Sequence, residues 1–150
     1  MKKNEKGFTL IELLAVIIIL AIIALIATPI VLNVVNKLRQ KAAEDSTYGV
    51  VEAVKSYHAE QMLETSLDVS DTFYVKWETN NGTTTAKEGK NATDSLTESG
   101  IKIGGTKPTG GSVTINNDGT ITVDKLKING YECSSNENAT DTNVSCEIAN

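Results

Sequence analysis

The pattern of apolar and polar positions changes character twice along the chain. From Leu13 to Val35 no residue is charged. That run is long enough for one helix to cross the hydrocarbon core of a bilayer, which takes roughly 20 apolar residues. Beyond it the apolar positions recur every three or four residues. Ala43, Thr47, Val50, Val54, Tyr57 and Gln61 share one helical face, and Leu38, Ala42 and Val51 widen it. Lys41, Glu44, Asp45, Glu52, Lys55 and Glu60 fall elsewhere and read as solvated. The two patterns join without a break, so the spacing predicts a single helix from Phe8 to about Leu63, about 84 Å at 1.5 Å per residue. Pro29 lacks a backbone N–H and is expected to kink or loosen that helix near Leu25–Ala27. Gly49 is a weaker point.

After a connector at Leu63–Asp71 the period falls to two. Phe73, Val75 and Trp77 alternate with polar residues, as in a half-buried strand, and Thr79-Asn80-Asn81-Gly82 supplies a hairpin turn. Thr83–Asn91 fits either a second strand or a loop. Asp94–Ser99 reads as one helical turn closed by Gly100, and Gly104–Gly111 as a loop. Val113 and Ile115 alternate, Asn117-Asp118-Gly119 turns, and Ile121 and Val123 alternate again. Lys125–Tyr131 reads as a further strand. The expected architecture is α+β: a long N-terminal helix packed on a small antiparallel meander, with one sheet face on the helix and the other in water.

Charge changes the picture at the N-terminus. Lys2, Lys3 and Lys6 precede the apolar run, and Glu12 stands just before its uncharged part. A secretory signal would have a shorter apolar core and a small-residue cleavage site after it, whereas here Pro29-Ile30-Val31-Leu32-Asn33 follows. A plain anchor would keep the lysines in the cytoplasm, although Lys37, Arg39 and Lys41 on the far side blunt that bias. Neither reading accounts for Glu12. A charge in a membrane segment costs about 2.5–3.5 kcal/mol on insertion scales and marks a functional residue with a partner.

Lys6-Gly7-Phe8-Thr9-Leu10-Ile11-Glu12, followed directly by the apolar run, resembles the class III signal of type IV pilins and pseudopilins. The resemblance covers about the first third of the chain, and Pro29 falls where many pilins carry a helix-breaking proline. It implies that a prepilin peptidase cuts after Gly7 and methylates the new N-terminus at Phe8. It implies a leader at 1–7, a transmembrane and assembly helix at 8–35 and a soluble head at 36–150. The function implied is that of a structural subunit which waits as a single-pass protein in the cytoplasmic membrane. The pilus assembly machinery would then build it, by self-association, into an extracellular filament. Alternatives are a pseudopilin of a DNA-uptake or secretion system and, from another class, an anchored binding or enzyme domain that never polymerises.

Composition narrows the chemistry. The formal charge is −5, and a leader of three lysines and one glutamate carries +2, so the cleaved form would carry −7. An acidic subunit is not expected to bind nucleic acid directly, because phosphate binding needs a basic surface. Cys133 and Cys146 bracket a polar segment, Ser134–Ser145, that shows no apolar pattern. In a surface-exposed chain two cysteines read as a disulfide, worth roughly 2–4 kcal/mol, and many pilins have such a C-terminal loop. Free thiols are the alternative in a reducing setting. Two cysteines without a nearby histidine make an incomplete metal site. Asn117-Asp118-Gly119 with Asp124 lacks the spacing of a calcium loop. His58 is the sole histidine and has no paired nucleophile. Four Asn-x-Ser/Thr sites begin at Asn81, Asn91, Asn138 and Asn143. The expectation is a non-enzymatic protein without cofactor or metal.

Overall fold

In a computed structural model of the chain, residues 7–65, 72–93, 95–135 and 143–149 are described. The chain divides into two units between Leu38 and Arg39. A single helix, α1 (Leu10–Thr65), begins in the first and ends in the second.

In the first unit the large apolar side chains from Phe8 to Val34 stand 49–87% exposed. The most apolar window of α1 has a mean hydropathy of 3.2 and none of it is buried. The helix runs unbroken through Pro29. The proline ring removes the N–H that would have bonded the Leu25 carbonyl, and one residue earlier the Thr28 hydroxyl donates to the Ala24 carbonyl at 2.6 Å.

The second unit contains the rest of α1 and seven strands: β1 (Phe73–Asn80), β2 (Thr83–Gly89), β3 (Thr97–Glu98), β4 (Gly110–Ile115), β5 (Ile121–Ile128), β6 (Tyr131–Ser135) and β7 (Val144–Ile148). They form one antiparallel sheet in the order β3-β2-β1-β4-β5-β6-β7. The expected meander is therefore two runs that share an inner border, β1 against β4. The predicted helical face is the one that packs. Ala43, Thr47, Val50, Val51 and Val54 are at most 2% exposed and meet Phe73, Val75, Trp77, Val113, Ile115, Val123, Leu126 and Ile128 in one core. Leu38 and Ala42, expected to widen that face, are exposed.

Several local expectations change. Thr83–Asn91 resolves as a strand to Gly89. The helical turn expected at Asp94–Ser99 is instead the edge strand β3, in which Glu98 and Thr97 pair with Lys87 and Glu88; Asp94 itself lies outside the described residues. Lys125–Tyr131 is not a strand of its own. Lys125–Ile128 completes β5, Asn129-Gly130 turns with both φ angles positive (54° and 79°), and Tyr131 opens β6. The cause is a bulge. Ser112 pairs with Asp124 but Gly110 with Lys127, so Gly111 faces two residues. Lys125 takes a φ of 46° there, and the core-facing positions shift phase from Ile121 and Val123 to Leu126 and Ile128. Gly111 has a φ of 88°, and a Cβ on it would sit 2.3 Å from the Lys125 carbonyl oxygen, so only glycine fits.

Candidate processing and assembly site

Gly7, Phe8, Thr9 and Glu12 stand together at the start of α1. Gly7 is exposed, and a Cβ built on it would meet nothing within 4 Å. Phe8 is 87% exposed. Thr9 caps the helix. Its backbone N–H and its hydroxyl each donate to Glu12 Oε2 at 2.8 Å, and the Glu12 N–H donates to the Thr9 hydroxyl oxygen at 3.4 Å. This reciprocal exchange is a capping box: threonine before the first turn, glutamate three residues on. It satisfies backbone donors that a helix otherwise leaves open at its N-terminus. The sequence reading gave Glu12 a functional part and missed Thr9, although the T-x-x-E spacing carries the signal.

The other singled-out residues lie in the head. Cys133 and Cys146 are bonded to each other and are partners in the β6–β7 register. The segment read as lacking an apolar pattern ends in β7, where Val144 and Cys146 are 5% and 1% exposed. Residues 136–142 between the strands, including Asn138, lie outside the described residues. The hairpin is tied to α1: the Val144 N–H donates to the Tyr48 hydroxyl at 3.3 Å, and Asn129 Nδ2 donates to the Ser46 hydroxyl at 3.3 Å. His58 stacks on Phe73 with ring centroids 4.8 Å apart, and desolvation lowers its pKa.

On the outer sheet face Lys76 and Lys87 stand directly opposite each other. Glu78 bridges them at 2.8 and 3.1 Å, and these cations hold its carboxyl below the usual range. Asp118 accepts from the Thr120 hydroxyl at 2.6 Å and from its N–H at 2.8 Å, the bonding of a turn. Asn91 accepts from Thr93 in the same manner. Among the described residues no three His, Cys, Asp or Glu side chains cluster as metal ligands do.

The N-terminal geometry is that of a capped, exposed apolar helix with an exposed glycine ahead of it. Residues 2–28 match the family described as the prokaryotic N-terminal methylation motif, the type IV pilin signature. This motif supports a protein of the pilin or pseudopilin type, and it implies cleavage by a prepilin peptidase. No curated protein and no solved structure gives a match.

Proposed function

We propose that this chain is the prepilin of a type IV pilus, a structural subunit and not an enzyme. The observation that carries the reading is the methylation motif at 2–28 placed directly on a helix whose apolar side chains no part of its own unit covers. Before assembly the bilayer covers them, and the helix fits anchoring in the cytoplasmic membrane. In an extracellular fibre the same side chains of other copies replace lipid.

Glu12 couples the two states. Cutting after Gly7 turns the Phe8 nitrogen from an amide into an amine, a cation one helical turn from the Glu12 carboxylate. That amine, on the same chain or on the subunit being joined, is the partner the acid requires. Pairing in an apolar bundle has strict geometry, and it would fix axial register between otherwise smooth aliphatic surfaces. Head-to-tail addition that does not close gives a helical filament.

Mass spectrometry of fibres sheared from cells tests the reading. The subunit is expected to begin with N-methyl-Phe8. A subunit that begins at Met1 or Lys2 would overturn it. Short, cell-bound fibres made only with a secretion apparatus would assign the chain to the pseudopilins.

A further inference from the structure

Two asparagine–glycine pairs stand in turns of the head with nearly the same backbone. Asn81-Gly82 joins β1 to β2 with φ angles of 51° and 80°, and Asn129-Gly130 joins β5 to β6 with 54° and 79°. All four residues are exposed. In both turns the flanking residues are strand partners, Asn80 with Thr83 and Ile128 with Tyr131.

The side chains differ. Asn129 Nδ2 donates to the Ser46 hydroxyl at 3.3 Å, and that hydroxyl is itself fixed by donating to the Ala42 carbonyl at 2.7 Å. The Gly130 carbonyl accepts from the Ala149 N–H at 3.0 Å. Among the described residues no bond holds the Asn81 carboxamide. Asp118-Gly119 gives a third comparison. Its glycine N–H is committed to the Asn116 carbonyl at 2.9 Å, and its carboxylate to Thr120.

We propose that Asn81 is a self-modifying site, converted in the folded head to aspartate and isoaspartate, and that the Ser46 bond protects Asn129 from the same reaction. The Gly82 backbone nitrogen gives up its proton to hydroxide and attacks Asn81 Cγ. Glycine has no side chain to obstruct that approach. A bond forms from the nitrogen to Cγ, the bond from Cγ to Nδ2 breaks, and ammonia leaves with a proton from solvent. The product is a cyclic imide. Water then opens it. Addition at the side-chain carbonyl gives aspartate; addition at the main-chain carbonyl gives isoaspartate, in which the backbone runs through the former side chain. The sum is a water consumed and an ammonia released. Ring closure requires the carboxamide to turn until Cγ meets the nitrogen. Asn81 turns freely, whereas Asn129 must first leave Ser46. The reaction puts a new negative charge at the tip of the β1–β2 hairpin. As isoaspartate it also lengthens the backbone between Asn80 and Thr83, which the register holds together. The proposal is independent of the filament reading.

Peptide mapping by mass spectrometry tests it on the full chain in detergent, aged in mildly alkaline buffer, with isoaspartate read out by an isoaspartyl methyltransferase. Asn81 is expected to convert about three- to tenfold faster than Asn129, the rate equivalent of one hydrogen bond that has to break first. Ser46→Ala is expected to speed Asn129 about threefold or more and to leave Asn81 unchanged. In urea the two sites are expected to convert at similar rates. Equal rates in the folded chain, a lead for Asn129, or an Asn81 that converts only in urea would overturn the proposal. So would a lead for Asn81 that persists undiminished in urea, because the neighbouring sequence and not the fold would then set it. An Asn129 that stays slow in Ser46→Ala would overturn the protection assigned to Ser46.

Discussion

The two units of the chain use similar aliphatic residues to opposite ends. In the head, Val50, Val75, Val113, Leu126 and Ile128 are at most 1% exposed. In the N-terminal unit no large apolar side chain from Phe8 to Val34 falls below 49%. Leucine, isoleucine and valine are thus core residues in one unit and exposed residues in the other. The difference lies in what surrounds them. The head carries enough alternating strand to cover one face of its helical segment. Among the described residues of the N-terminal unit nothing covers the helix; on the proposed reading lipid or other copies cover it. Polar residues divide the same way. Glu78 in the head is neutralised by two lysines of its own sheet, whereas among the described residues Glu12 is held by the neutral Thr9 cap.

The largest expected effect breaks the N-terminal unit alone. Glu12→Ala is expected to be processed and to reach the membrane in normal amount, yet to yield few or no fibres by electron microscopy. Leaving the Phe8 amine unpaired in an apolar bundle costs on the order of 3–5 kcal/mol. Glu12→Gln sharpens the point, because glutamine can still complete the capping box. Fibres from the Gln variant but not the Ala variant would make the cap, and not the charge, the decisive contact.

Next comes a paired truncation. Leu126→Ala should lower head stability by about 2–5 kcal/mol in thermal or denaturant unfolding. Ile19→Ala, which empties no core, should leave that unfolding unchanged and act only on fibres. A head destabilised by Ile19→Ala would abolish the contrast drawn here.

Reduction of Cys133–Cys146 should cost the head roughly 2–4 kcal/mol and leave Glu12-dependent assembly in place. Hydrogen exchange should rise in β6 and β7 and little in β1. Uniform exchange across the sheet would show that the hairpin supports the whole core.

The smallest effect is on His58. Burial against Phe73 lowers its folded pKa below that of the unfolded chain, so the unfolded state binds the proton more readily. The stability of the neutral form is complete above the unfolded value of about 6.5. It is lost as pH falls through that value towards the folded one. His58→Phe should flatten the dependence of Tm on pH in that window; an unchanged slope would assign it to carboxylates.

What was legible in the sequence was local. The helical face from Ala43 to Gln61, the alternation of Phe73, Val75 and Trp77 and the Asn81-Gly82 turn all follow from period or turn chemistry within a few residues. What was missed depends on partners far away in sequence. The bulge opposite Gly111 shifts the phase of β5, so Ile121, Val123, Leu126 and Ile128 look like two strands when read as strict alternation. Asn129-Gly130 was hidden because its flanks, Ile128 and Tyr131, continue an apolar rhythm. β3 is two residues long and exists only through its pairing with β2. β7 buries two side chains, one of them a cysteine, too few to show in a polar stretch. At the candidate processing site the motif at 2–28 includes Gly7, Phe8 and Glu12. Thr9 was readable too, but only if the same residues are taken as a helix start as well as a cleavage signal.

The open space around Gly7 has a practical consequence. Beyond its chain neighbours, a Cβ there would meet no atom of the described residues within 4 Å, and no left-handed backbone would strain it. A graded series at this position, from alanine through valine to phenylalanine, would therefore leave the substrate's own folding constant. Whatever falls away along the series would measure the peptidase's tolerance for bulk beside the scissile bond. On the proposed reading, residue 7 is in that sense a ruler for the peptidase's active site, set where the described residues leave open space.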